Sequence, residues 1–173
     1  RARCHQPFVL LCDAALPACL RLDYSSFPDQ TSILNRTIFK TICVECQKTG
    51  QSNFQSTGAE LLFLSKYVTK EDRFQARDLA ASISIENIRE CRWRDVPVGE
   101  HAYAGALRYF ARGNLQAEPN GDGILRRYLE AAFLTAAGTE RLLQSHQFSA
   151  ACFNHGIYIP HGVISEVCRL HGI

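Results

Sequence analysis

The stretch "FSAACFNHGIYIPHGVISEVCRLHGI", Phe148 to Ile173, decides how the rest of the chain is read. Residues 148–154 form a short, mostly apolar run that ends at Asn154, and they read as a buried strand. His155 to Gly162 form a loop carrying two histidines and two glycines. Pro160 stands near the first turn of a helix that places Val163, Ile164 and Val167 on one face. The closing Gly172-Ile173 reads as the start of a fourth strand. Working outward, "FVLLC" (8–12) and "ELLFLS" (60–65) read as two earlier buried strands. Helical patterns fill most of the chain between. Thr69 and Asp72 suit a capping box for a helix over 69–84, with Leu79 and Ile83 on one face. Ala102, Tyr103, Ala106, Leu107 and Phe110 recur at helical spacing over 98–114, and Gly113 supplies a stop. Leu125, Leu129, Phe133 and Ala136 repeat the stripe over 122–146. Residues 13–60 lack such a pattern and read as an irregular, cysteine-containing insertion. Strands separated by helices predict an α/β fold, a Rossmann-like parallel sheet with flanking helices, in one domain over 1–173.

Composition bounds the function. The chain has 173 residues, 46% hydrophobic and 21% charged, enough for a sizeable core. A net charge of +2 argues against nucleic acid as a partner and allows at most peripheral membrane association. No apolar run is long enough to span a bilayer. "PFVLLCDAALPACL" lacks the basic cluster and uninterrupted apolar region of a signal peptide, so a cytoplasmic location is expected. The chain contains no methionine and stops just where another strand is expected, so it reads as part of a longer protein.

Ligands of open parallel sheets bind beyond the carboxyl ends of the strands, where the following helix offers free N–H groups. The 154–162 loop is predicted to lie at such an end. His155 would emerge from the strand tip as a general base or hydroxyl-binding group. Gly156 and Gly162 would allow close backbone approach. The competing reading is that His155 only caps a strand and the glycines only make a turn. Asp13 stands at the tip of the first strand, placed for polar ligand contact. Glu100 begins a helix, where the dipole alone would explain it, although it could also bind acceptor hydroxyls. Arg108 and Arg112, four apart, could hold a phosphate or an acidic sugar, or form a solvated face.

The ordered pieces "LLCDAALPAC", "CVECQKTG", "SKYVTKEDRFQA", "GEHAYAGALRYFARG", "ILRRYLEAAFLTA" and "NHGIYIPHGVISEV" cover most of residues 8–173. Taken together, the chain resembles the N-terminal half of bacterial GT-B glycosyltransferases of the surface-polysaccharide (capsule or lipopolysaccharide) kind. The resemblance implies an acceptor-binding Rossmann-like domain that faces a second domain holding the nucleotide-sugar donor. That donor domain would be missing here, and the fragment alone would be inactive. It implies transfer of a sugar to a growing polysaccharide or lipid-linked acceptor, with no metal or other cofactor needed for the chemistry. On this reading His155 is the candidate catalytic base, with Tyr158 and His161 lining the acceptor site. One departure from the family pattern stands out: "CDAALPAC", after the first strand, has no glycine to approach a phosphate.

Eight cysteines remain to be placed. Cys12-x6-Cys19 and Cys43-x2-Cys46 form two pairs that suit a tetrahedral structural zinc, although the first spacing is loose. Burial as plain thiols competes with that, as does redox use of Cys43 and Cys46. Cys91, Cys152 and Cys168 read as core residues. The alternative function is therefore a stand-alone, zinc-stabilised Rossmann-like binding module without catalysis.

Overall fold

The computed structural model describes residues 6–173. In chain order its elements are β1 (Phe8–Leu11), α1 (Gln30–Leu34), α2 (Phe39–Gln55), β2 (Glu60–Phe63), α3 (Lys70–Ser82), α4 (Val98–Phe110), α5 (Gly121–Ser145) and α6 (His161–Leu170). Single 3₁₀ turns follow β2, at Leu64–Tyr67, and α3, at Ile85–Asn87. The fold is mixed α/β, 54% helical, with a small parallel sheet.

Strands β1 and β2 pair in parallel, with Phe8 opposite Glu60 and Leu11 opposite Phe63. Parallel neighbours require a long crossover, and α2 provides it. The region 13–60 is therefore not an irregular insertion, as its sequence suggested. It holds α1 and a 17-residue α2 packed on both strands. Helix α2 escaped notice because it presents almost nothing apolar to the core. Ile42 is its one buried residue, Val44 faces solvent and no side chain caps its start.

The predicted third strand at 148–154 is absent. Phe148 packs edge-on against Phe8 at 5.5 Å, but the segment joins no ladder, and Ala150 to Cys152 are exposed. An apolar run that buries no residue fully and finds no strand partner gains little hydrophobic stabilisation and no ladder hydrogen bonds. His155 therefore leads out of a loop rather than a strand tip, and Cys152 is not a core residue. Gly172-Ile173 does not open a fourth strand either. Gly172 adopts φ +73°, its N–H bonds to the Arg169 carbonyl, and the Ile173 N–H bonds to the Cys168 carbonyl. These are the two bonds of a Schellman cap closing α6.

The helices expected from periodicity do form. The capping box of α3 is complete: Asp72 N–H donates to Thr69 Oγ1 at 3.1 Å, and Thr69 N–H donates to Asp72 Oδ2 at 2.6 Å. Arg141 grips the same carboxylate through both Nη atoms, tying α3 to α5. The buried face of α3 is Ala76 and Ala80; Leu79, expected inside, is 44% exposed. Helix α4 ends at Phe110, where Ala111 turns left-handed (φ +52°), before the expected stop at Gly113.

Helix α5 is the hub. Helices α1, α3, α4 and α6 and the 64–67 turn all pack on it. Its Glu130 is buried but doubly paired, with Arg36 on one side and Arg127 at 2.9 Å on the other. Arg127 also donates to the Leu34 carbonyl, which fastens the end of α1 to the hub. Helices α4 and α5 meet at Gly105, where a Cβ would lie 2.5 and 2.8 Å from ring carbons of Tyr128. Tyr128 is fully buried and its hydroxyl donates to the Cys19 carbonyl, so the ring has little room to give. Overpacking of this kind costs about 1–3 kcal/mol. Removing a helical glycine returns at most about 1 kcal/mol. Gly105→Ala is therefore expected to lower the urea midpoint; an unchanged or raised midpoint would show that the two helices separate freely.

Candidate functional site

The site forms where α4 and α6 meet. Ile159, completely buried, anchors the loop ahead of α6 in the core, while Ile157 is turned outward. The loop closes through Gly162 N–H to the Tyr158 carbonyl at 2.7 Å and Ile164 N–H to the Pro160 carbonyl at 3.0 Å. These bonds fold His155, Tyr158 and His161 back on one another. The His155 ring meets Tyr158 edge-on at 5.2 Å and lies 4.9 Å from the ring of His161. Ile157 N–H approaches His155 Nδ1 at 3.4 Å. The Arg108 guanidinium lies 5.7 Å from the centre of the Tyr158 ring, while its Nη1 donates to the Leu22 carbonyl at 3.1 Å.

Behind this group stands His101, in the first turns of α4 and only 7% exposed. Its Nδ1 lies 2.6 Å from the Ile157 carbonyl oxygen. A carbonyl only accepts, so Nδ1 carries a proton and donates it, and the ring's second nitrogen is Nε2. That Nε2 is buried without a partner, as is Nδ1 of His161. Gly162 fits against the His101 ring; a Cβ there would collide with it and lie 2.7 Å from the Ile157 carbonyl oxygen. Gly156 is under no such constraint, since a Cβ would make ordinary contact with Ser165.

Burial, and after it the neighbouring His155, hold His161 below the ordinary imidazole range. A neutral His161 beside His155, with one cation close by, can accept a proton and bind hydroxyls.

The other expected site residues are placed differently. Asp13 has left-handed backbone (φ +44°), and its carboxylate accepts from the Ser65 N–H at 2.9 Å and from the Ser65 hydroxyl. It ties the tip of β1 to the turn after β2. Glu100 is exposed beside Arg89, Arg92 and Pro97 in a shallow surface cleft. Arg112 lies past the end of α4 and pairs with Glu118 at 3.0 Å, so it does not act with Arg108. A separate cleft of about 400 Å³ between α3 and α5 is lined by Leu79, Trp93 and Phe133. It shares no residue with the histidine group, and its acids are already paired, Asp72 with Arg141 and Glu140 with His171.

Cys12, Cys19, Cys43 and Cys46 come into one neighbourhood, because α2 runs beside the end of β1. Cys4 lies outside the described residues. Among those described, no group of three or more His, Cys, Asp or Glu side chains stands close enough to hold a metal ion. Burial, reinforced by the neighbouring thiols, pushes Cys19 up to about 12 and Cys43 up to about 11. Redox use of Cys43 would need a shift in the opposite direction, so that reading fails for this residue.

His101 is the site residue to which the sequence assigns no role, although it stands beside Glu100 at the start of α4. It sits one turn before Gly105 on the stripe that α4 buries, and a histidine on a buried stripe is the signal that would have marked it. Comparison with family models, curated proteins and solved structures finds no match to this chain.

The thiols make a direct test of the packing. Iodoacetamide at about pH 8 is expected to modify exposed Cys46 and Cys152 early, and Cys19 at least about tenfold more slowly than either, as peptide mass spectrometry would read. Equal rates would mean that the turn holding Cys19 does not stay closed.

Proposed function

We propose that this chain is the acceptor-side, N-terminal domain of a GT-B-type glycosyltransferase that builds a bacterial surface polysaccharide. The observation that carries the reading is the gathering of His155, Tyr158 and His161 beside Arg108 at the start of α6. At the level of architecture, β1, α2 and β2 supply one parallel strand–helix–strand unit, the building block of a Rossmann-like half. No helix among the described residues is long and apolar enough to cross a membrane, which accords with a cytoplasmic enzyme at most peripherally attached to one.

In the proposed reaction the acceptor hydroxyl attacks the anomeric carbon of a nucleotide sugar held by a second α/β domain. The new glycosidic bond forms as the bond to the diphosphate breaks, and its electron pair leaves with the nucleoside diphosphate. His155 takes the hydroxyl proton, which suits an inverting transfer. His161 and Tyr158 bind the acceptor, and Arg108 adds positive charge at their edge. Asp13 and Glu100 make no hydrogen bond to this group among the described residues.

A second reading is a stand-alone binding module: Cys12, Cys19, Cys43 and Cys46 are neighbours, and would have to draw closer than they stand to hold a structural zinc. Transferase assays on the complete natural polypeptide, with a panel of nucleotide sugars, separate the two. Sugar transfer supports the enzyme; no transfer, with about one zinc per chain that Cys43→Ser removes, supports the module. In an active enzyme, His155→Ala should lower kcat by about 100-fold or more. A loss of only a few fold would remove His155 from the role of base.

A further inference from the structure

We infer that His101 is a positioning residue for this site, holding the His155–Gly162 turn in its working shape by donating from Nδ1 to the Ile157 carbonyl. The inference rests on the proposed part of His155 and His161 in acceptor chemistry. Three observations carry it. The bond is 2.6 Å long and crosses between α4 and the loop, 56 residues apart in sequence. His101 is almost wholly buried, and Gly162 leaves its ring the space that any Cβ would take. The carbonyl it holds belongs to the residue whose N–H approaches His155 Nδ1, so the same peptide region touches both histidines.

A bond that only stabilised the fold would leave the chemistry of its neighbours alone. A bond that shapes the turn also sets how deeply His161 is buried, and burial is the main cause of its lowered titration. The rings that pack against His161 are those of His155 and Phe153, and His155 is the titratable group whose charge acts on it. The deciding experiment is an NMR histidine titration of the intact protein, comparing wild type with His101→Leu and His101→Asn. An asparagine amide can place a donor where Nδ1 stood, whereas leucine has none. His101→Leu is expected to raise the His161 pKa by about half a unit or more. His101→Asn is expected to retain the wild-type value. In transferase assays kcat should fall about tenfold or more with leucine and recover with asparagine.

A folded leucine variant in which His161 titrates as in wild type overturns the inference. So does an asparagine variant that unfolds, or that shifts as leucine does, since a donor at the Nδ1 position should suffice. If the leucine variant unfolds, the asparagine result alone decides. The titration needs no substrate: absence of transferase activity in the wild type would remove the proposed function while leaving the positioning by His101 to stand or fall on the spectra.

Discussion

Helix α5 cannot be exposed on any broad face, and the rest of the chain is arranged to cover it. Fifteen of its 25 residues are buried, including Ala131, Ala132, Ala136 and Gly138. Small residues let neighbours approach closely. A Cβ on Gly138 would lie 2.8 Å from a Leu64 methyl and 3.0 Å from one of Val68, so the turn after β2 rests directly on the helix. The polar groups taken inside are answered where they stand. Thr135 and Thr139 donate to carbonyls one turn back, and Glu130 lies between two arginines. Loss of either arginine would leave a buried charge short of a partner, the expensive case for an interior ion pair.

The site inherits its geometry from this hub. Helices α4 and α6 both dock on α5 and also touch each other. That arrangement carries His101, on the buried stripe of α4, to the first turn of α6. Gly162 and the buried Ile159 then draw the loop inward, so His155, Tyr158 and His161 converge. The loop needs little secondary structure of its own. Its shape comes from one anchor in the core, two backbone turns and one imidazole-to-carbonyl bond. A rigid frame behind a short loop is a common way to hold proton-transferring side chains in place.

The cysteine neighbourhood arises from the same logic. Helix α2 must cross from β1 back to β2, and in doing so it lays Cys43 and Cys46 beside the 12–19 turn. Gly50 of α2 meets the Leu11 side chain, which sets how closely helix and strand run together. Burial in this packing pushes the thiols of Cys12, Cys19 and Cys43 up from their ordinary range.

What the sequence by itself determined is whatever rests on local, repeating physics. The capping box at Thr69 and Asp72, the stripes of α4, α5 and α6, and the two apolar strands at 8–11 and 60–63 could all be read from spacing, because each depends on neighbours within one or two turns. The likeness of 148–154 to a strand was also local, and there it misled: a strand exists only with a partner, and β1 took β2 instead. Helix α2 was invisible because its stability comes from spanning a parallel pair rather than from an apolar face of its own. His155, Tyr158, His161 and Gly162 could be picked out together, being only a few residues apart. His101 could not, because its partner is a carbonyl 56 positions away, a distance closed only when α4 and α6 pack on α5. Tertiary structure likewise gave the oxygens of Asp13 to Ser65, an engagement between two strand ends that no spacing along the chain displays.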